Sequence, residues 1–310
     1  MRNFVVLCLA ASACLSAQVR FTSDKMIEIE VDGKPFTTFH YGGDSNKPYL
    51  SPLRSADDKT VTRLFPMEYI EGESRDHFHH RGLWVGYKDV NGYNFWENEP
   101  SYVQERGPSG HVIVKNAVQK PGDKSGSLIV TMDWVAPTGK TLLTEDRTMT
   151  FYGDPKLRVI DITDTFTADT DVTFGDSHDG LLGIRLAEPF TERKGGIMTD
   201  AQGRQKMMKV WGHQADWVDY TGVVDGERLG VAIFDNAKNP NYPTYWHARD
   251  YGLFAADPLA RNAFDPKLPE QHMKLTPGQK MTFRWRVVIH PGDTTTGNVA
   301  EMYKQYQGEE

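Results

Sequence analysis

Asp76-His77-Phe78-His79-His80-Arg81-Gly82-Leu83-Trp84 is the densest run of reactive side chains in the chain, with three of its ten histidines inside four positions, beside an Asp and an Arg. If the run is extended, His77 and His79 project to one face and Asp76, Phe78 and His80 to the other. Imidazoles two positions apart on a strand can converge on one metal ion, with N–metal bonds of about 2.0–2.1 Å for zinc. They can equally act as acid and base on a bound substrate, because histidine titrates near neutral pH. The competing reading is a buried network in which His, Asp and Arg satisfy one another. Burying three imidazoles with an arginine is costly, since charging one penalises the others. That cost favours a functional site, with His77, His79, His80 and Arg81 as its candidates.

Two more histidines have similar company. His178 lies in Asp176-Ser177-His178-Asp179-Gly180, ahead of the apolar Leu181 to Ile184 and then Arg185. His247 lies in Trp246-His247-Ala248-Arg249-Asp250-Tyr251-Gly252. Either could act as acid or base, or complete a triad with His77 and His79. His77, His79, His178 and His247 are therefore the candidate ligands of a divalent metal ion. For each, a packing or surface role is the alternative. Trp84, Trp96, Trp246 and Tyr251 are candidates to stack on the apolar C–H faces of a sugar, while Arg, Asp, Glu and His take its hydroxyls. Core aromatic packing is the other reading, preferred for Phe95. Arg63, Arg185 and Arg249 suit a carboxylate or a hydroxyl pair. Glu97 and Asp250 join the substrate-binding set. Glycoside hydrolysis needs two carboxyls about 5–9.5 Å apart, and spacing alone does not choose them from Glu68, Glu71, Glu73, Asp76, Glu97, Glu99, Glu145, Asp179 and Asp250. Glu145, next to Asp146-Arg147 in a strand, reads better as part of a cross-strand ion pair.

The elements that must hold these residues are strands. Met26 to Val31 alternates apolar and acidic side chains, and Asp32-Gly33 turns the chain into Phe36 to Tyr41. Leu83 to Tyr87 and Tyr93 to Trp96 flank Asn91-Gly92, a second hairpin signal. Ser127 to Val135, Thr141 to Phe151 and Leu157 to Phe166 are long Thr-, Val- and Ile-rich runs. Further strands are expected at Gly196 to Thr199, Trp217 to Val224, Leu229 to Phe234, Tyr251 to Ala255 and His272 to Leu275, with Met281 to His290 following the Pro277-Gly278 turn. Asp44 to Asp58, Asn239 to Pro243 and Asp257 to Pro269 read as long loops. Only Thr296 to Tyr306 has helical spacing. The pattern predicts an all-β fold, a large antiparallel β-sandwich of the galactose-mutarotase supersandwich type, with a short C-terminal helix. No linker divides residues 18–310, so one domain is expected.

The first seventeen residues read as a secretory signal peptide, with a positive start, an apolar stretch and a cleavage point after Ala17. A lipoprotein anchor at Cys14 is the minor alternative. Both cysteines, Cys8 and Cys14, fall in this segment, so the mature chain has no disulfide and no thiol ligand. A periplasmic or secreted protein is expected. The net charge of −7 without a basic block argues against nucleic acid. No later apolar run reaches the roughly 18 residues that span a bilayer. Gly-rich nucleotide fingerprints, the P-loop, the Gly-x-Ser-x-Gly elbow and His-Glu-x-x-His are all absent.

The runs DHFHHRGLW and DVNGYNFW within Pro66 to Trp96, HDGLLGIRLA (His178 to Ala187), NPNYPTYWHARDYGLFAADP (Asn239 to Pro258) and LTPGQKMTFRWRVVIHPGD (Leu275 to Asp293) resemble the PmoA-like proteins of the DUF6807 domain family. Phe78 stands where that family often has proline. The name points to a methane monooxygenase subunit that is a multi-helix membrane protein, and a chain without a spanning segment is not that subunit. The resemblance implies instead an exported all-β protein of polysaccharide-feeding bacteria, resembling carbohydrate-processing sandwiches. Three readings follow. The first is a carbohydrate-active lyase, epimerase or hydrolase that acts through the histidines on a glycoside or an oxidised sugar, a small-molecule or oligosaccharide substrate. The others are a copper or iron oxidoreductase and a non-catalytic glycan binder.

Overall fold

The computed structural model describes residues 18–23, 26–43, 45–100 and 107–309. The expected signal peptide, Cys8 and Cys14 lie outside them. Strands β1 (Val19–Ser23), β2 (Ile27–Val31), β3 (Lys34–His40), β4 (Tyr49–Leu50) and β5 (Leu83–Tyr87) come first. Four long strands follow: β6 (His111–Lys120), β7 (Ser125–Val135), β8 (Thr141–Tyr152) and β9 (Arg158–Ala168). Next are β10 (Val172–Phe174), β11 (Gly180–Arg185), β12 (Ile197–Asp200) and the one-turn α1 (Met207–Val210). The chain continues through β13 (Trp217–Val224), β14 (Glu227–Asp235), β15 (Tyr245–Ala248), β16 (Leu253–Asp257), β17 (Met273–Leu275) and β18 (Lys280–Pro291) to α2 (Val299–Gly308).

Two eight-stranded sheets dominate. One runs β1-β2-β3-β4-β5-β11-β16-β15 and the other β12-β13-β14-β18-β9-β8-β7-β6, with β10-β17 as a small third sheet. All named strand pairs are antiparallel, and the all-β two-sheet sandwich expected from the sequence is the observed architecture. The second sheet shows why these residues form strands. Along β7 and β9 buried and half-buried positions alternate without a break. Every second side chain therefore enters the core shared with the first sheet. Each Val, Leu, Ile or Phe buried there contributes about 1.5–3 kcal/mol. The expected ion pair is buried in this sheet. Arg147 pairs with Glu145 and donates from Nε to Asp164 Oδ1 at 2.8 Å, on the neighbouring strand.

The first sheet is built differently. Strands β5, β11 and β16 are buried at every position. Leu83, Val85, Leu182, Ile184, Phe254, Ala256, Trp246 and Ala248 enter the shared core. Trp84, Leu253 and Ala255 belong to a separate outer cluster with Tyr49 and Trp96. Strand register aligns one outward row across the sheet: His40, Tyr49, Trp84, Gly183, Ala255 and His247. Loops lie over that row, and they carry His77, His79, His80 and His178.

Several expected elements fall elsewhere. Tyr93 to Trp96 makes isolated bridges, Tyr93 with Val90 and Asn94 with Ser109, and no strand. Strands β17 and β18 form no hairpin, because β17 pairs with β10 while β18 lies between β14 and β9. The 44–58 loop contains β4, β16 starts at Leu253, and the helix starts at Val299.

Candidate functional site

The histidine run is a turn, not a strand, until Leu83. His77 has φ +47°, and the His80 N–H donates to the His77 carbonyl at 3.0 Å. Gly82, at φ +54°, passes so close to β4 that a Cβ would lie 2.0 Å from the Leu50 carbonyl oxygen. Only glycine fits there. The expectation that His77 and His79 share a strand face is thereby corrected. The turn instead brings His77 onto His80, with ring centroids 4.7 Å apart and planes 5° from parallel. Tyr251 stacks on the far side of His77 at 5.2 Å, and Trp84 lies beneath His80 at 5.1 Å. His79 meets His80 edge-on at 4.2 Å.

Two arginines hold this column. Arg63 Nη1 donates to Ser74 O, Asp76 O and Asp76 Oδ1, and its Nη2 to His77 O and His80 O, at 2.7–3.3 Å. Arg185 Nη2 donates to Ser74 Oγ and Asp76 Oδ1, and its Nη1 to His80 Nδ1 at 3.2 Å. Both guanidiniums are buried and committed to the loop, which corrects the expectation that they grip substrate. Burial pulls the His80 imidazole well below its ordinary range, and the His79, Arg185, His77 and Arg63 charges add to it. Arg81 is likewise internal. Its Nη2 donates to Glu99 Oε2 at 2.9 Å, and Lys47 Nζ sits 3.6 Å from Glu99 Oε1. Burial lowers the Lys47 amine to about 8, with Glu99 opposing.

Asp76 and His77 are the members that reach solvent, with side chains 45% and 38% exposed. His77 Nδ1 lies 3.1 Å from Asp76 Oδ1. Burial pushes the Asp76 carboxyl up, but the His77 hydrogen bond and the Arg185, His77 and Arg63 charges outweigh it and hold the group well below the usual carboxylate range.

A second group sits further across the same face. The potential ligand atoms of His178, Asp179 and His247 lie within 4.8 Å of one another. Lys88 Nζ binds Asp179 Oδ2 at 2.8 Å and Glu97 Oε2 at 3.1 Å. Burial pulls His247 down to about 3, against the Asp179 charge. His77 and His79 belong to no such ligand group among the described residues. The four-histidine metal set expected from the sequence is thus divided between two places.

Tyr251 lies between them. Its ring carries Arg185 at 4.5 Å and Arg249 at 5.6 Å from the centroid. Burial raises its pKa; the two arginines oppose, while Asp76 and Asp179 add to the rise, so the phenol keeps its proton.

The indoles are not the expected sugar platform. Trp84 and Trp96 are fully buried against each other, 5.0 Å apart, over Gly183, where a Cβ would lie 2.6 Å from Trp96. Trp246 is on the core side of β15 and donates from Nε1 to Ala215 O at 2.9 Å. Its neighbour His247 takes the outer face, as strand alternation requires. Glu97 is buried on Lys88, and Asp250 is an exposed turn residue whose carbonyl accepts the Glu192 N–H. Sequence reasoning gave Lys47 and Lys88 no role and left Asp179 among nine carboxylates. The only sequence signal for Asp179 is its place next to His178.

The chain belongs to the family of unknown function DUF6807, whose pattern matches residues 26–304. No curated protein matches it in sequence. Among solved structures it is similar to a galactose mutarotase-like protein from Clostridium acetobutylicum, with 9% identity over 89% of this chain and 99% of that one, at TM-score 0.45. A galactose mutarotase related enzyme from Lactobacillus acidophilus is similar at 9% identity over 89% and 98% of the two chains, at TM-score 0.35. The GH36 α-galactosidase AgaA from Geobacillus stearothermophilus is similar at 10% identity over 89% of this chain and 40% of its own, at TM-score 0.42. At such identities these likenesses concern strand arrangement, not chemistry. No helix among the described residues is long and apolar enough to cross a membrane.

Proposed function

We propose that the chain is an exported carbohydrate-active enzyme that moves a proton on a sugar or sugar acid through His77. The observation that carries this reading is the Asp76–His77 pair, 3.1 Å apart, half-exposed and clamped between Tyr251 and a buried arginine network. An ionised carboxylate 3.1 Å from Nδ1 favours a proton on that nitrogen, which leaves Nε2 to take or give a proton. Tyr251, a protonated phenol beside Arg185 and Arg249, supplies a donor to substrate oxygen, and Arg249 supplies charge for a carboxylate. Proton abstraction next to a carboxylate, as in β-elimination or epimerisation, uses this set of groups directly. Hydrolysis by paired carboxylates has less support, because Glu97 and Glu99 are committed to buried lysine and arginine partners. A purely stacking glycan binder also has less support, since Trp84, Trp96 and Trp246 are sealed. Export rests on the leader-like first seventeen residues.

The test is a panel of neutral and uronate-containing oligosaccharides, followed for unsaturated products, for epimers by NMR and for new reducing ends. Turnover by the wild type that falls about 100-fold or more in Tyr251→Phe supports the reading. Turnover that Tyr251→Phe leaves untouched removes the phenol from it, and no turnover of any sugar defeats it.

A further inference from the structure

Three potential ligand atoms converge in the second histidine group, and His77 and His79 belong to no such group among the described residues. His247 is 4% exposed, and its Nδ1 is buried without a hydrogen-bond partner. That nitrogen lies 3.5 Å from Asp179 Oδ1, and His178 Nε2 lies 3.8 Å from the same oxygen. Lys88 occupies the other carboxylate oxygen, Oδ2, so Oδ1 is the one turned toward the imidazoles. A buried imidazole nitrogen with no partner is costly unless something satisfies it. A cation between the three groups would do so.

We propose that His178 Nε2, Asp179 Oδ1 and His247 Nδ1 bind one divalent transition-metal ion, with coordination positions left open. Two ligands of a tetrahedral zinc at about 2.1 Å lie about 3.4 Å apart, close to the Nδ1–Oδ1 separation here. His178 has a side chain 43% exposed and closes the remaining gap by a small ring movement. Two imidazoles and one carboxylate favour zinc, iron(II) or a neighbouring ion over magnesium or calcium, which prefer all-oxygen shells. Three protein ligands are the number found where a metal keeps a place for water or substrate. Lys88 is then the outer-shell partner that orients the carboxylate. Trp211 and Phe264, 6.3 and 6.2 Å from the His178 ring, wall one side. The site is independent of the His77 reading, and either can fail alone.

The test uses tag-free full-length protein, stripped with a chelator and dialysed, then titrated calorimetrically with zinc chloride and spectroscopically with cobalt(II) chloride. One ion per chain is expected, with cobalt bands in the visible region. His178→Ala and Asp179→Asn lose stoichiometric binding, Lys88→Met binds about 10–100-fold more weakly, and His77→Ala binds as the wild type does. His178 is half-exposed, so its variant folds, which unchanged circular dichroism checks. Absence of stoichiometric binding would overturn the proposal. So would binding that survives in His178→Ala and Asp179→Asn, or binding that depends on His77.

Discussion

Two histidine groups on one face of a sheet have been treated oppositely by the fold. Around His77–His80 two arginines clamp the loop: Arg63 donates five hydrogen bonds to residues 74–80 and Arg185 ties the same loop to β11, although Nε of each arginine is buried without a partner. Around His178 and His247 a buried nitrogen stays without a partner, and one lysine is the only hydrogen-bonding clamp on the Asp179 carboxylate among the described residues. The first region spends its charges on shape and leaves one dyad at the surface. The second keeps its lone pairs facing one another. Clustering of histidines in sequence therefore marks the group that arginines clamp, while the other is assembled from residues 178 and 247, far apart in the chain.

The contrast can be broken most forcefully at Arg63. Arg63→Met strands the Asp76 carboxylate and four loop carbonyls from their buried partner. It should cost about 3–5 kcal/mol in urea unfolding, and a loss below about 1 kcal/mol would mean that the loop is held by something else. Gly183→Ala tests the indole floor between the groups, since its Cβ would press on Trp96 and Trp84 at 2.6 and 2.9 Å. A loss of about 1–3 kcal/mol is expected, and a neutral result would show that the indoles yield freely.

His80 gives a smaller, pH-dependent effect. Its folded pKa is depressed, so the unfolded chain binds the extra proton. Its contribution is fully present above the unfolded value of about 6.5 and is lost as pH falls below it, by at most about 1.4 kcal/mol per pH unit. Urea midpoints measured from about pH 7.5 to 5.5 should fall for the wild type and fall less steeply in His80→Gln, with the similarly depressed His247 keeping part of the slope; equal slopes would contradict the assignment. The smallest effect belongs to the second region. Without metal, His178→Ala should move stability by no more than about 0.5 kcal/mol, whereas a loss rivalling Arg63→Met would make that group structural too.

Several strands were legible because their alternation is clean: β2 and the interiors of β7, β8 and β9 lie where period-two patterning puts them. The covered face of the first sheet was harder to read. Strand β15 is buried on both faces apart from Tyr245, so no polar alternation told that Trp246 enters the core and His247 leaves it. The 76–82 run looked extended because nothing local marks the left-handed turn at His77; its cause is Arg63, thirteen residues upstream of Asp76. The role of Arg63 itself was invisible for the same reason, since a guanidinium that binds carbonyls carries no sequence signature. The reactive residue types were legible, and which of them face solvent was not.

The central claim is that His77 is the proton-transfer group of this face. It is tested most directly by kcat/KM of His77→Ala on whichever sugar the wild type turns over, in a preparation whose urea midpoint matches the wild type. A fall of about 100-fold to 10,000-fold is predicted; retention of wild-type kcat/KM would contradict the account.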